Sequence, residues 1–367
     1  MHSISFNGRF LDAPQTGVQR VARELILSVL QHLDANPELR SELNLRLIAP
    51  KVTRYDKPRD DLKLVRFGRF SGQAWEQLDL PRAPTGDLLV NLCNLSPLAS
   101  TNSITMIHDA QVFQTPDSYS RAFRAWYKFA LPRIGKSARR ILTVSNFSAD
   151  QLAANSIAPR DKIDVVHNGV DHILNMVPDN SVIERFRLEP GNYDVGVANV
   201  QTHKNVSVLL RTYQDQRLKN RTLVLFGSAD LEAFEAAGLH LPPNVLLAGR
   251  LSDSELRALL ESANSLLFPS RTEGFGLPPL EAMILGVPAI CSNTGALPEV
   301  CGNAAIYAAP DNPTGWVNAI LDIASERPSE RQYRAENCKK QAEKYTWSKA
   351  GEKLIGVICR ELRPPSG

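Results

Sequence analysis

The sequence predicts an α/β protein of two domains, each built around a parallel sheet, and three observations carry the prediction. Short apolar runs bounded by turn residues recur at 4–6, 45–48, 88–92, 104–108, 141–144 and 165–166, and again at 193–199, 223–226, 266–268 and 303–309. Helical stretches separate them, beginning with Val18, Val21, Ala22, Leu25, Ile26, Val29 and Leu30 on one face. Strands separated by helices imply parallel pairing. Length is the third observation: 367 residues, 43% hydrophobic and 22% charged, are enough to bury two such cores.

Composition narrows the function classes. A formal charge of +3 gives no whole-molecule attraction to nucleic acid, so no nucleic-acid partner is expected. Cys93, Cys291, Cys301, Cys338 and Cys359 form no C-x-x-C pair, which indicates neither a disulfide framework nor a zinc site and points to a cytoplasmic setting. The N-terminus lacks a charged region followed by an apolar core, and no run approaches the roughly 18 apolar residues of a membrane span. Neither a G-x-G-x-x-G dinucleotide fingerprint nor a phosphate-binding Walker loop is present.

Taken in order, strand 4–6 hands over through a loop to the helix beginning at Val18, with Thr16 and Gly17 at its N-terminus. Between 51 and 69 charge is dense and periodicity poor, so that region reads as loop. Ile104-Thr-Met-Ile-His108-Asp109 sets a histidine at the carboxyl end of a strand, where open α/β sheets bind ligands, although a lone histidine there can equally be structural. In Thr143-Val-Ser-Asn-Phe-Ser148, Ser145 or Asn146 can cap the helix that follows. The polar, aperiodic stretch 173–192 reads as a linker between a first domain, 1–172, and a second, 193–345. In the second domain Lys204 stands just before a helix starting near Val206; a cation there gains nothing from the helix dipole, so either it is a surface charge or it serves something else. Strand and loop 244–252 carry Arg250 into a capped helix, and residues 346–367 form a last amphipathic helix and tail.

The richest stretch is Phe268-Pro-Ser-Arg-Thr-Glu273-Gly-Phe-Gly276-Leu-Pro-Pro-Leu-Glu281-Ala-Met-Ile-Leu-Gly286. An apolar strand ends at Pro269, Gly274 and Gly276 open a loop around Phe275, and Pro278 and Pro279 occupy a first helical turn, where a missing N–H costs nothing. Leu277 therefore begins a helix whose N-terminus, with its free N–H groups and positive dipole end, suits phosphate. Glu273 and Glu281 flank it, and carboxylates do not partner phosphate. They can accept hydrogen bonds from hydroxyls, which together describes a sugar nucleotide, a diphosphate with a polyol at each end. Separately, each has a plainer reading: Glu281 caps its helix, or Glu273 is solvated.

This Glu, seven residues, Glu arrangement, followed by Gly286-Val-Pro and Ser292-Asn-Thr-Gly-Ala-Leu-Pro-Glu299-Val, resembles the donor-site signature of retaining glycosyltransferase family 4. The resemblance implies a GT-B fold, two Rossmann-like doubly wound domains facing across a cleft, with the last helix returning to the first domain. It implies that Glu273 holds donor-sugar hydroxyls, Glu281 the ribose, and Lys204 the diphosphate together with the amides of Gly276 and Leu277. His108 matches a histidine that approaches the donor sugar, and Gly17 a turn near the diphosphate. Asn199 stands where the family usually has an arginine, so His203 or Arg250 would complete charge neutralisation.

The function so implied is metal-independent, retaining transfer of a sugar from a nucleotide diphosphate sugar to a saccharide or lipid-linked saccharide, with no cofactor. No Asp-x-Asp tripeptide is present to hold a metal. The wording around 199–205 and 292–304 resembles bacterial surface-polysaccharide mannosyltransferases, which suggests GDP-mannose. Two other classes remain open: a non-hydrolysing sugar nucleotide epimerase of the same fold, and a degenerate, non-catalytic partner subunit. Finally, no Asp or Glu occurs from Ser118 to Ala149, while Arg121, Arg124, Lys128, Arg133, Lys136, Arg139 and Arg140 do. Interleaved with Phe123, Trp126, Tyr127 and Phe129, they fit a peripheral contact with an anionic membrane, unless the aromatics pack into the first domain.

Overall fold

The computed structural model describes residues 1–14 and 16–363, and the chain divides into two compact units. The first comprises Met1–Gly169 with the segment from Trp347, and the second Val170–Thr346.

In the first unit seven strands form one parallel sheet: β1 His2–Asn7, β2 Leu43–Ala49, β3 Lys63–Arg66, β4 Leu88–Asn91, β5 Ser103–Met106, β6 Arg140–Thr143 and β7 Ile163–Val165. Their spatial order is β3-β2-β1-β4-β5-β6-β7. Ile4 pairs with Leu45 on one side and Leu88 on the other, and all three are apolar because a central parallel strand is covered on both faces. The order in which strands are added reverses between β1 and β4, so the loops leaving their carboxyl ends diverge and open a crevice.

The helix Gly17–Asp34 buries the periodic face read from the sequence, including Val21, Leu25, Ile26 and Val29. Against it lies the helix Trp347–Leu362, whose approach is set by Ser28 and Gly351. Ser28 Oγ donates to the Trp347 carbonyl at 2.6 Å, and a Cβ on Gly351 would stand 2.2 Å from Ser28 Oγ. Strand β3 falls in the region that reads as loop. It is an edge strand with Lys63 and Arg66 exposed, so it carries no apolar alternation to detect.

In the second unit the strands are β8 Tyr193–Ala198, β9 Thr222–Gly227, β10 Val245–Gly249, β11 Ser265–Phe268, β12 Ala289–Ser292 and β13 Ile306–Ala308. They are parallel in the order β10-β9-β8-β11-β12-β13, with the reversal at β8 and β11. Asp194, fully buried in β8, ties the start of this sheet together. It accepts from Tyr213 Oη at 2.7 Å, Asn264 Nδ2 at 2.8 Å and Ser265 Oγ at 2.6 Å, and Arg221 Nε lies at 3.3 Å. Such a buried carboxylate is tolerated only because its lone pairs are taken.

Strand β13 is shorter than the run 303–309, because Gly302–Ala304 forms a 3₁₀ turn first. Residues 173–192, read as linker, belong to the second unit. They carry the helix Ser181–Phe186 with Val182 buried, and the Arg257 guanidinium donates to the carbonyl of Leu174 at 2.8 Å. Among the described residues no helix is long and apolar enough to cross a membrane.

Candidate active site

In the second unit the two loops that leave the carboxyl ends of β8 and β11 meet where the strand order reverses, the position at which open α/β sheets bind ligands. Lys204 ends the 3₁₀ turn Thr202–Lys204, and Asn205 follows with φ +56°, a left-handed conformation that asparagine tolerates better than most residues. That kink lets Asn205 Nδ2 donate to the carbonyls of Pro269 at 3.1 Å and Pro310 at 2.8 Å. The Arg271 N–H donates to the His203 carbonyl at 2.7 Å. The β8 loop is thereby bolted to the β11 loop. Lys204 Nζ lies 2.7 Å from Glu273 Oε1, with side chains 24% and 10% exposed, so the ammonium keeps an open side for a ligand.

The glycine-rich turn is shaped by backbone contacts. Gly276 has φ +103°, and a Cβ there would meet Leu297 Cδ2 at 2.7 Å. The helix Leu277–Ile284 starts immediately after it, and Pro278 and Pro279 remove two first-turn donors, leaving the amides of Leu277 and Leu280. Gly295, φ +63°, allows the β12 loop to lie on Glu273: a Cβ would sit 2.7 Å from Glu273 N, and Ala296 N–H donates to the Glu273 carbonyl at 3.1 Å. Thr294 Oγ1 donates to the Ser270 carbonyl at 3.0 Å, as does Ser292 Oγ. Three loops thus fix the position of Glu273.

Glu281 is buried, and it is not a helix cap: its Oε1 stands 3.2 Å from His172 Nε2, with the two side chains 8% and 6% exposed. Phe275 is buried too, its ring edge-on to Tyr345 at 5.6 Å, so its side chain packs while its backbone shapes the turn. Asn199, in the usual arginine's position, turns inward on its own loop, its Oδ1 accepting from Gln201 N–H at 2.9 Å. His203 is buried, and burial together with the Lys204 charge drops its pKa to about 4, against the opposing pull of Glu273. It is therefore a neutral imidazole near pH 7 in this structure. Arg250 is exposed at the end of β10 and makes no ion pair among the described residues.

In the first unit His108 lies just beyond β5, its Nε2 at 2.9 Å from the Leu92 carbonyl and its N–H donating to Asn94 Oδ1 at 2.8 Å. Burial lowers its pKa to about 4, so it is a neutral imidazole. Gly17 is exposed as the first residue of its helix, capped by Thr16, whose N–H donates to Gln19 Oε1 at 3.3 Å.

Sequence reading missed a buried group at the reversal of this sheet. Glu76, wholly buried, accepts from Asn7 Nδ2 at 2.7 Å and Arg9 Nε at 3.0 Å, where β1 ends. Desolvation pushes its carboxyl pKa up, against Arg9 and Asn7. His172, Asn205 and Arg271 were missed as well. Only Asn205, an asparagine directly before a helix, carried a local signal. Among the described residues no group of three or more His, Cys, Asp or Glu is placed to hold a metal ion.

Comparison with known proteins agrees with this geometry. Residues 186–344 match the family described as Glycosyl transferases group 1, and residues 85–173 match Glycosyltransferase Family 4. The chain is 30% identical over 230 residues to the O-antigen chain mannosyltransferase RfbU of Salmonella typhimurium, a match spanning 62% of each protein and so less than two thirds of that relative's length. It is 28% identical over 267 residues to O-antigen chain mannosyltransferase B of Escherichia coli, covering 70% of this chain and 69% of that one. Among solved structures, WaaG, a glycosyltransferase involved in lipopolysaccharide biosynthesis, superposes with a TM-score of 0.70 at 18% identity, covering 97% of this chain and 99% of that one. The shared fold is GT-B, with a Rossmann-like parallel sheet of seven strands in one unit and six in the other.

Proposed function

We propose that the chain, which matches the group 1 and family 4 glycosyltransferase models in its two units, moves a sugar from a nucleoside diphosphate sugar to a saccharide acceptor. The observation that carries this reading is the Lys204–Glu273 pair, 2.7 Å apart at the reversal of the second sheet and joined through one short glycine turn to the helix beginning at Leu277. An ammonium with three N–H donors can keep Glu273 with one and offer the others to a phosphate oxygen. As the sugar–phosphate bond breaks, charge grows on the diphosphate, and Lys204 with the amides of Gly276 and Leu277 stabilises it. Glu273 accepts from donor-sugar hydroxyls, and Glu281, oriented by His172, accepts from the ribose. The configuration is retained, with the leaving diphosphate taking the acceptor's proton. In the first unit His108, neutral, is suited to act as a hydrogen-bonding group rather than as an acid.

The mannosyltransferase relatives support mannose as the sugar and surface-polysaccharide assembly as the setting, and GDP-mannose is the donor we propose. The test is release of nucleoside diphosphate from GDP-mannose with and without added saccharide acceptor. Release that needs the acceptor and labels it supports transfer. Acceptor-independent interconversion of the donor would mean an epimerase, and no turnover with any donor would mean a binding subunit.

Since Lys204 and backbone amides supply the charge stabilisation, transfer is expected to survive chelation. Loss of activity in EDTA, restored by magnesium or manganese, would contradict this.

The acceptor side of the proposal rests on the helix Arg121–Ser137. Its inner face buries Ala130, Leu131, Ile134 and Gly135, and Tyr119, Phe123 and Tyr127 stack in a row, with centroids 5.3 and 4.1 Å apart. Of its aromatics Phe129 is the exposed one, at 45%, with the Arg133 guanidinium 3.6 Å over its ring, and Arg121, Lys128 and Lys136 are also exposed. A basic outer face with an aromatic among its charges suits an anionic bilayer, each nearby Lys or Arg adding about 1 kcal/mol. The protein is expected to sediment with anionic but not zwitterionic liposomes, less so as salt rises. Equal recovery in the supernatant with both lipids at low salt would leave a soluble acceptor as the better account.

A further inference from the structure

One concave surface of the second unit takes no part in the site above: a groove of about 1110 Å³ between the helix Pro328–Ala342 and the 3₁₀ turn Gly302–Ala304. It is larger than the roughly 300–1,000 Å³ of ordinary small-molecule pockets, which favours a ligand of several linked units. Its lining is polar yet electrically balanced. Glu299, Glu326 and Glu330 face Arg334, Lys340 and Lys344, three acids against three bases.

Within it several groups are left uncommitted. Glu326 has a side chain 9% exposed, and Arg334 holds its Oε1 alone; its Oε2 is buried and has no hydrogen-bond partner. Leaving a carboxylate oxygen desolvated and unpaired is costly, and a ligand hydroxyl would satisfy it. Asn303 and Asn337, each able to donate and accept, make no side-chain hydrogen bond among the described residues, and the Tyr333 ring is 68% exposed. A flat aromatic face, two amides and a buried acceptor match a neutral polyol with apolar C–H faces. A nucleotide or other polyanion would meet the Glu326 oxygen, and the groove has no net positive charge to offset that repulsion.

We infer that this groove is a second, non-catalytic saccharide-binding site, which holds a segment of a neutral oligosaccharide on Tyr333, Asn337 and Glu326. It stands on the groove's own chemistry and requires no particular donor. Its position gives it a use in transfer. The helix Leu297–Cys301 begins two residues after Gly295, which lies on Glu273, and ends at Gly302 in the groove floor. A chain held there is anchored one short helix from the donor loop, and tethering raises the local concentration of its end.

The test is binding of neutral linear tetrasaccharides, mannotetraose, maltotetraose and galactotetraose, to the full chain by titration calorimetry. At least one is expected to bind the parent protein. Tyr333→Ala and Asn337→Ala should each weaken that binding about tenfold or more, the loss of an anchoring contact, while Glu273→Ala, which removes the group proposed to hold donor-sugar hydroxyls, leaves it unchanged. Tyr333 is exposed enough that its replacement leaves the fold intact, which the melting temperature checks. The inference is overturned if no tetrasaccharide binds, as when the groove serves a protein partner. It is also overturned if both groove variants bind like the parent, or if Glu273→Ala abolishes binding and so assigns it to the donor site. Because binding is read without turnover, failure here is separate from failure of the transfer reaction.

Discussion

Replacing Lys204 by alanine is expected to lower the rate of sugar transfer by about 10²-fold or more at saturating donor, the scale of losing one preorganised electrostatic donor. The substitution removes the ammonium 2.7 Å from Glu273 and leaves that carboxylate, 10% exposed, without its cation. Two causes could then lower the rate: a lost diphosphate contact, or a misplaced Glu273. The double variant Lys204→Ala, Glu273→Ala separates them. If Lys204 only steadied Glu273, the double variant would be no slower than Glu273→Ala alone, whereas a direct role at the leaving group makes it slower than either single variant. Full activity in Lys204→Ala would return the residue to the category of surface charges.

Glu281→Ala is expected to weaken binding of the nucleoside diphosphate by about 1.5–3 kcal/mol, or roughly ten- to 150-fold in Kd, the range for a charge-assisted hydrogen bond in a closed site. Glu281 is buried and oriented by His172 at 3.2 Å, so it reaches its ligand without first losing rotamer freedom. His172→Ala should weaken binding less, because the carboxylate remains and loses only its brace. Glu273→Ala should spare nucleotide affinity and lower turnover, since its proposed partner is the sugar. Identical Kd values for Glu281→Ala and the parent, by calorimetry, would remove Glu281 from the ribose.

The parts of this architecture visible in the sequence are those that local pattern encodes. Buried parallel strands such as β4 and β11 carry short apolar runs, Leu88-Leu-Val90 and Leu266-Leu-Phe268, and the helix Gly17–Asp34 repeats its apolar residues at 3.6-residue spacing. The turn at Gly276 is equally local, since a left-handed residue followed by Leu-Pro-Pro announces a helix start. What could not be read depends on residues far apart in sequence. Nothing near Arg271 indicates that its N–H meets His203, 68 positions earlier, or that Asn205 braces Pro269. The same holds for His172 beside Glu281 and for Glu76 under Arg9. Edge strand β3 was hidden for a different reason: Lys63 and Arg66 at its ends face solvent, and only Leu64 and Val65 between them are apolar.

The central claim is that the loop from Pro269 to Glu281 binds the diphosphate of a nucleotide sugar. Thermal unfolding of the protein with GDP, UDP, ADP and TDP in turn tests it most directly, because a ligand at a hundred times its Kd adds about 2.7 kcal/mol of stability. The account predicts that one of them, GDP first, raises the melting temperature of the parent and does so much less in Glu281→Ala. Unchanged melting with every nucleoside diphosphate at millimolar concentration would contradict it.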